Sequence, residues 1–323
     1  MKKPLVVLTG PTAVGKTKAS IGLAKAIGGE IISADSMQVY KYMDIGSAKI
    51  SPEEMEGVPH YLVDELLPSE PFNVVQFQRM AKQAAAHIYA NGHIPVVVGG
   101  TGFYIQALLY DIDFAENGDD GNIRTELSEY ARVYGAEKLH ERLRSVDQEA
   151  AEQIHPHNVK RVIRALEYFE QTGQKISEHN EKERAKESPY NAVYFVLTDD
   201  RKHLYARIDR RVDEMIKAGL VEEVQKLKEM GYTKEMVSMQ GLGYKEILDY
   251  LDGDCTLEDA VYRIKRDTRH FAKRQITWFK REKHVIWIDK KSYDYDEEKI
   301  LETMIKHLEG VLCSDNYSGE ADF

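Results

Sequence analysis

Leu5-Val6-Val7-Leu8-Thr9-Gly10-Pro11-Thr12-Ala13-Val14-Gly15-Lys16-Thr17 runs from an apolar segment through a glycine-bounded turn into a stretch of helical character. The turn fits G-x-x-x-x-G-K-[ST] at every fixed position. Strand, loop and helix stand in the order that a phosphate cradle needs. Glycines let the backbone fold tightly so that successive N–H groups face an anion, and the helix N-terminus adds partial positive charge. Lys16 neutralises a terminal phosphate, and Thr17 has the hydroxyl that normally ligates Mg²⁺. Gly10, Thr12, Ala13, Val14, Gly15, Lys16 and Thr17 are therefore the candidate residues for a di- or triphosphate, with Thr17 the candidate metal ligand. The pattern does not say which phosphate compound is bound.

Working outward, Glu30–Ala34 and Ile94–Val98 read as further strands, Tyr61–Val63 as a weaker one, and Val74–Tyr89 as a helix. Buried strands alternating with helices predict a parallel sheet covered on both faces. That rhythm stops at about Phe114. From there to Ser188 the chain reads as successive helices rich in Glu, Lys, Arg and Gln. Ala192–Leu197 and Val285–Ile288 then restore the strand signal, with helices expected at His203–Met230 and Leu257–Lys280. Because strands resume, the pattern predicts an α/β domain of P-loop type, residues 1–113 and 189–312, with an all-helical subdomain, 114–188, inserted into it. The polar segment 313–323 reads as a disordered tail.

Composition narrows the function classes. No apolar run approaches the roughly 20 residues that a membrane span needs. Cys255 and Cys313 stand far apart with no partners at ligand spacing, which argues against a zinc site or a disulfide framework and suits the cytoplasm. The formal net charge of −10 argues at first sight against a nucleic-acid partner. Charge is local, however, and Arg263 to Lys283 carries nine Lys and Arg residues against only Asp267 and Glu282. By itself such a run is more often a solvated helix face.

The default reading of the cradle is a P-loop kinase or phosphotransferase acting on a small molecule. Such enzymes usually place an acid at the end of a second apolar strand to hold Mg²⁺. Here the strongest strand ends in Gly99-Gly100-Thr101-Gly102, and the acid, Asp35, ends the other one. Strand ends of an open parallel sheet gather at one edge, so Asp35, Thr101 and the cradle should converge there. A carboxylate and a hydroxyl beside a bound diphosphate suit alkylation of an amine with diphosphate as leaving group. Two roles stay open for Asp35, a base and a magnesium ligand through water. An RNA-binding module with a vestigial P-loop is a third reading, disfavoured by the retained Lys16, Thr17 and Asp35.

With these pieces the sequence resembles the bacterial tRNA dimethylallyltransferase (tRNA isopentenyltransferase) family. The matching segments are Gly10–Thr17, Asp35-Ser36-Met37-Gln38-Val39-Tyr40, Met43–Gly46, Ala48-Lys49 and Gly99–Gly102. Further along come Arg161 with Arg164–Glu167, Met239-Gln240 with Gly243–Glu246, and Thr268-Arg269 with Ala272–Gln275 and Thr277-Trp278. Each is weak alone beyond the P-loop; their order across nearly the whole chain is specific. Phe103 and Phe271 depart from leucines common in the family without removing a chemical group.

The resemblance implies that the P-loop holds the diphosphate of dimethylallyl diphosphate with Mg²⁺, and that Asp35 is the general base on N6 of the adenosine 3′ to the anticodon. It places Thr101 near the reacting centre and Arg207 on the diphosphate. Contacts to the tRNA anticodon stem-loop would come from Asp35, Ser36, Met37, Gln38, Arg124, Lys160, Arg161, Arg164, Gln240, Gly243, Lys245, Arg269, Lys273 and Arg274. The implied protein is a cytoplasmic monomer that needs no membrane.

Overall fold

A computed structural model of the chain describes residues 2–114 and 121–312; the expected tail, 313–323, lies outside them. The chain forms two compact units, Met1–Leu109 with Ser188–Phe323, and Tyr110–Glu187.

The first unit is built on a six-stranded, all-parallel sheet in the order β3-β2-β4-β1-β5-β6. Its strands are β1 (Lys3–Thr9), β2 (Gly29–Ala34), β3 (His60–Tyr61), β4 (Ile94–Gly99), β5 (Tyr190–Thr198) and β6 (Val285–Asp289). The weaker strand signal at Tyr61–Val63 yields only a two-residue edge. Helix α1 (Lys16–Ile27) joins β1 to β2; α2 (Val74–Ala90) and α3 (Gly102–Leu109) flank β4. Val6 and Leu8 share one buried cluster with Leu23 of α1. Leu5 and Val7, which alternation turns to the other face, are equally buried. Burial on both faces is why β1 reads as an unbroken apolar run. Asn73 starts α2 by accepting the N–H groups of Val75 and Gln76.

The α4 to α8 helices form the second unit: α4 (Gly121–Tyr134), α5 (Ala136–Val146), α6 (Gln148–Gln153), α7 (Val159–Thr172) and α8 (Ile176–Ala185). It has a core of its own, centred on Leu139, Leu143, Val162 and Leu166. The buried carboxylate of Asp147 accepts from the Ala150 amide and from both the amide and hydroxyl of Ser177, which fixes α6 to α8.

Back in the first unit, the helix expected over 203–230 is two helices, α9 (Arg201–Lys217) and α10 (Leu220–Glu229). Gly219 separates them at φ 102°, a left-handed conformation that ends the periodicity locally. Short α11 (Tyr244–Leu251) follows. The long basic α12 (Leu257–Phe279), capped by Thr256 on the Asp259 amide, precedes β6. The last helix, α13 (Glu297–Leu312), places Ile300, Met304 and Leu308 in the cluster that contains Val6.

Candidate phosphate-binding and active site

The loop Gly10–Gly15 connects the central strand to α1, so the helix N-terminus points at the C-terminal edge of the sheet. Ala13 holds φ 63°, a left-handed conformation uncommon outside glycine and typical of functional turns. Lys16 is half-buried, its Nζ donating to the carbonyls of Gly10 at 3.0 Å and Pro11 at 2.9 Å. Arg207 of α9 donates its Nε to the Ala13 carbonyl at 2.8 Å, so it stands against the loop. Thr17 is exposed in the first turn of α1.

Two further cations at this loop are not apparent from the sequence reading. Arg211 lies one helical turn after Arg207 on the same face of α9. Lys290, nearly fully buried, follows β6; its Nζ is 3.4 Å from the Val14 carbonyl and 2.7 Å from Glu297 Oε1. The i, i+4 spacing of Arg207 and Arg211 is the signal that would have found the first. Lys290 has none, since only the fold brings position 290 beside position 14.

Such crowding of positive charge has an electrostatic cost. Burial pushes the Lys16 ammonium down to about 8; the Asp35 carboxylate opposes the shift and the Arg211 guanidinium adds to it. Burial likewise lowers Arg211 from its ordinary value, with Asp35 the main opposing charge. Asp35 is thus the carboxylate in the field of both cations. An anion of higher charge would relieve the same crowding.

Thr101 reaches this edge because β4 closes tightly on β2. A Cβ at Gly99 would stand 2.1 Å from the Ala34 carbonyl oxygen, an approach only glycine permits. The Thr101 N–H donates to that oxygen at 3.2 Å, and the Thr101 carbonyl accepts from Tyr104 and Ile105 at the start of α3. Thr101 therefore meets the last residue of β2, and Asp35 is the next residue of that chain. The Thr12 amide is taken by Gln275 Oε1 at 2.9 Å.

Beyond β2 the chain makes a turn in which Asp35 Oδ1 accepts the Met37 N–H at 2.8 Å. Gln38 accepts from the Ser33 hydroxyl and donates to the Ala48 carbonyl; Ser36 is half-buried. Met37 lies against Gly241, which brings this turn to the segment holding Gln240 and Gly243. Gln240 is exposed and bonded to the Lys234 carbonyl. The Gly243 amide is held by Glu246 at 2.8 Å, and Lys245 stands 3.4 Å from the same side chain.

The remaining basic candidates differ in their engagements. Lys273 and Arg274 are exposed on α12, beside a cavity of about 430 Å³ also lined by His270 and Trp278. Arg269 is paired with Asp209 of α9. In the helical unit Lys160 and Arg161 are exposed. Arg124 and Arg164 converge on buried Glu167, at 2.7 Å and 3.0 Å. Burial disfavours the charge on Glu167, but the two guanidinium bonds outweigh it and hold the carboxyl below its usual range. Among the described residues no helix is long and apolar enough to cross a membrane.

Comparison with known proteins gives this edge a chemical context. A family model described as IPP transferase matches residues 38–282. A tRNA dimethylallyltransferase of Lachnoclostridium phytofermentans is 64% identical over 306 residues, 95% of this chain and 97% of that protein. The crystal structure of a tRNA isopentenylpyrophosphate transferase from Bacillus halodurans is similar with a TM-score of 0.71 at 44% identity, covering 96% of this chain and 98% of its own. A eukaryotic dimethylallyltransferase captured acting on tRNA is similar at a TM-score of 0.78 and 31% identity, over 89% of this chain and 74% of that one. The cationic cradle, the glycine-threonine strand end and a family match over residues 38–282 agree: the chain belongs to the tRNA dimethylallyltransferase (IPP transferase) family.

Proposed function

We propose that this protein transfers the dimethylallyl group of dimethylallyl diphosphate to N6 of the adenosine 3′ to the anticodon in tRNA, releasing diphosphate. The observation that carries this reading is the position of Asp35, in the field of Lys16 and Arg211 on the sheet edge that also bears Thr101. An adenine amine is a weak nucleophile, because its lone pair is delocalised into the ring. It must be oriented toward C1 of the donor and give up a proton as the new C–N bond forms. Asp35 takes that proton. Lys16, Arg207 and Arg211 stabilise the negative charge that grows on diphosphate as the C–O bond breaks.

Magnesium fits the residues present. Among the described residues no group of three His, Cys, Asp or Glu side chains is arranged to hold a metal. Mg²⁺ is commonly held by one or two protein oxygens plus substrate phosphates, and the Thr17 hydroxyl and Asp35 carboxylate are of that kind. When bound, the ion would neutralise charge on the leaving diphosphate.

RNA would meet the exposed cations of α12, Lys273 and Arg274, and those of the helical unit, Lys160 and Arg161. The target base must leave its stack at a cost of a few kcal/mol, about the least in a single-stranded loop. A phosphotransferase reading is weaker, since β4 ends in glycines and Thr101 instead of a carboxylate.

The acceptor tests this directly. An anticodon stem-loop with inosine in place of the target adenosine keeps the loop but lacks the exocyclic amine. It should bind within a few fold of the adenosine loop and take up no dimethylallyl group. Equal uptake by both loops would move the chemistry away from N6.

A further inference from the structure

Gln275 sits in the densest basic run of the chain, yet it turns inward and is 5% exposed. Both ends of its amide are used. Oε1 accepts the Thr12 N–H at 2.9 Å, and Nε2 donates to the Gly100 carbonyl at 2.9 Å. These partners fix the orientation of the amide, because a backbone N–H can only donate and a carbonyl can only accept. Thr12 belongs to the P-loop and Gly100 to the turn that presents Thr101. One side chain from a third element therefore bridges the two loops of the candidate site.

The bridge is closely fitted. A Cβ at Gly100 would lie 2.2 Å from Gln275 Nε2. Nearby, the Thr9 hydroxyl donates to the Gly99 carbonyl at 2.6 Å, which ties the ends of β1 and β4 from within the sheet. Past those ends, Gln275 spans the P-loop and the Gly100–Thr101 turn. The Thr12 amide is thus occupied by a side chain of α12 in the loop read as the phosphate cradle.

We propose that Gln275 is a positioning residue for the donor site, its amide holding the P-loop at Thr12 in fixed relation to the Gly100–Thr101 turn. This rests on the reading of the cradle as the diphosphate site. A neutral amide holds that relation independently of pH. Without the bridge, the diphosphate and Thr101 would lose their fixed separation, a geometric loss of the kind that weakens both binding and reaction.

Gln275→Met keeps the length of the side chain and removes both hydrogen bonds. Calorimetric binding of inorganic diphosphate should weaken about tenfold, because binding would then have to order a loop that the bridge otherwise holds in place. The KM for dimethylallyl diphosphate should rise by a similar factor, while the KM for tRNA stays within about twofold. Gly100→Ala supplies a second variant with the helix untouched, because its Cβ pushes the same amide aside; it should show the same donor-specific defect. Diphosphate affinity and donor KM unchanged in both variants, with only a lower melting temperature, would reduce Gln275 to packing and overturn the proposal. Wild-type protein that binds no diphosphate would instead overturn the donor-site reading itself.

Discussion

Asp35→Asn should lower kcat by roughly 10²–10⁴-fold, the scale of general acid–base catalysis, while tRNA and donor affinities stay within a few fold. Asparagine has nearly the same shape. Its side-chain oxygen can still accept the Met37 N–H that Asp35 Oδ1 now accepts at 2.8 Å, so the turn after β2 survives. What the variant would lose, on the proposed mechanism, is the ability to take the proton from the amine. If Asp35 served mainly as a magnesium ligand, donor affinity would fall instead and added Mg²⁺ would restore part of the rate. Single-turnover rates across a magnesium titration separate the two outcomes. Near-normal chemistry in the variant would end the general-base role.

A second large effect is expected at Lys16. Lys16→Ala removes the ammonium that bridges the Gly10 and Pro11 carbonyls. A diphosphate oxygen offers that ammonium a stronger, charge-assisted acceptor than either carbonyl. Loss of one such donor to developing charge costs about 10²–10³ in rate, and donor binding should weaken as well. The pH dependence supplies an independent check. In the free protein burial holds Lys16 near 8. Above that pH the group has lost its proton, whereas the bound anion favours the ammonium, so binding must take a proton up. Donor affinity should therefore fall as pH rises past about 8, by at most about tenfold per unit. Below that pH it should be level. Lys16→Ala should bind weakly and without this alkaline fall. An identical alkaline fall in the variant would assign the titration to another group.

Much of the core was legible because its signals are local. The run Leu5–Leu8 is apolar on both faces, and the loop after it carries the phosphate pattern within eight residues. Gly99, the last residue of β4, meets Ala34 in an approach that leaves no room for a side chain. What stayed hidden depends on contacts between distant positions. Gln275 meets Thr12 across 263 residues of chain, and Lys290 meets Val14 across 276. Charge patterns also concealed pairing: Arg269 joins Asp209, and Arg124 and Arg164 share Glu167. Counting cations in sequence overstates the charge each presents to an RNA. The expected helix at 203–230 continued its periodicity through Gly219, where one left-handed residue divides it.

In the proposed reaction carbon, not phosphorus, moves. Bulk tRNA incubated with the protein and dimethylallyl diphosphate labelled at carbon, and in parallel with γ-phosphate-labelled ATP, decides between the two. Nuclease digestion and mass spectrometry then locate the label. Carbon label is expected on the adenosine 3′ to the anticodon, with diphosphate released in equal amount and no phosphate label on RNA. Phosphate label transferred from ATP, with no carbon label on adenosine, would make the protein a phosphotransferase instead.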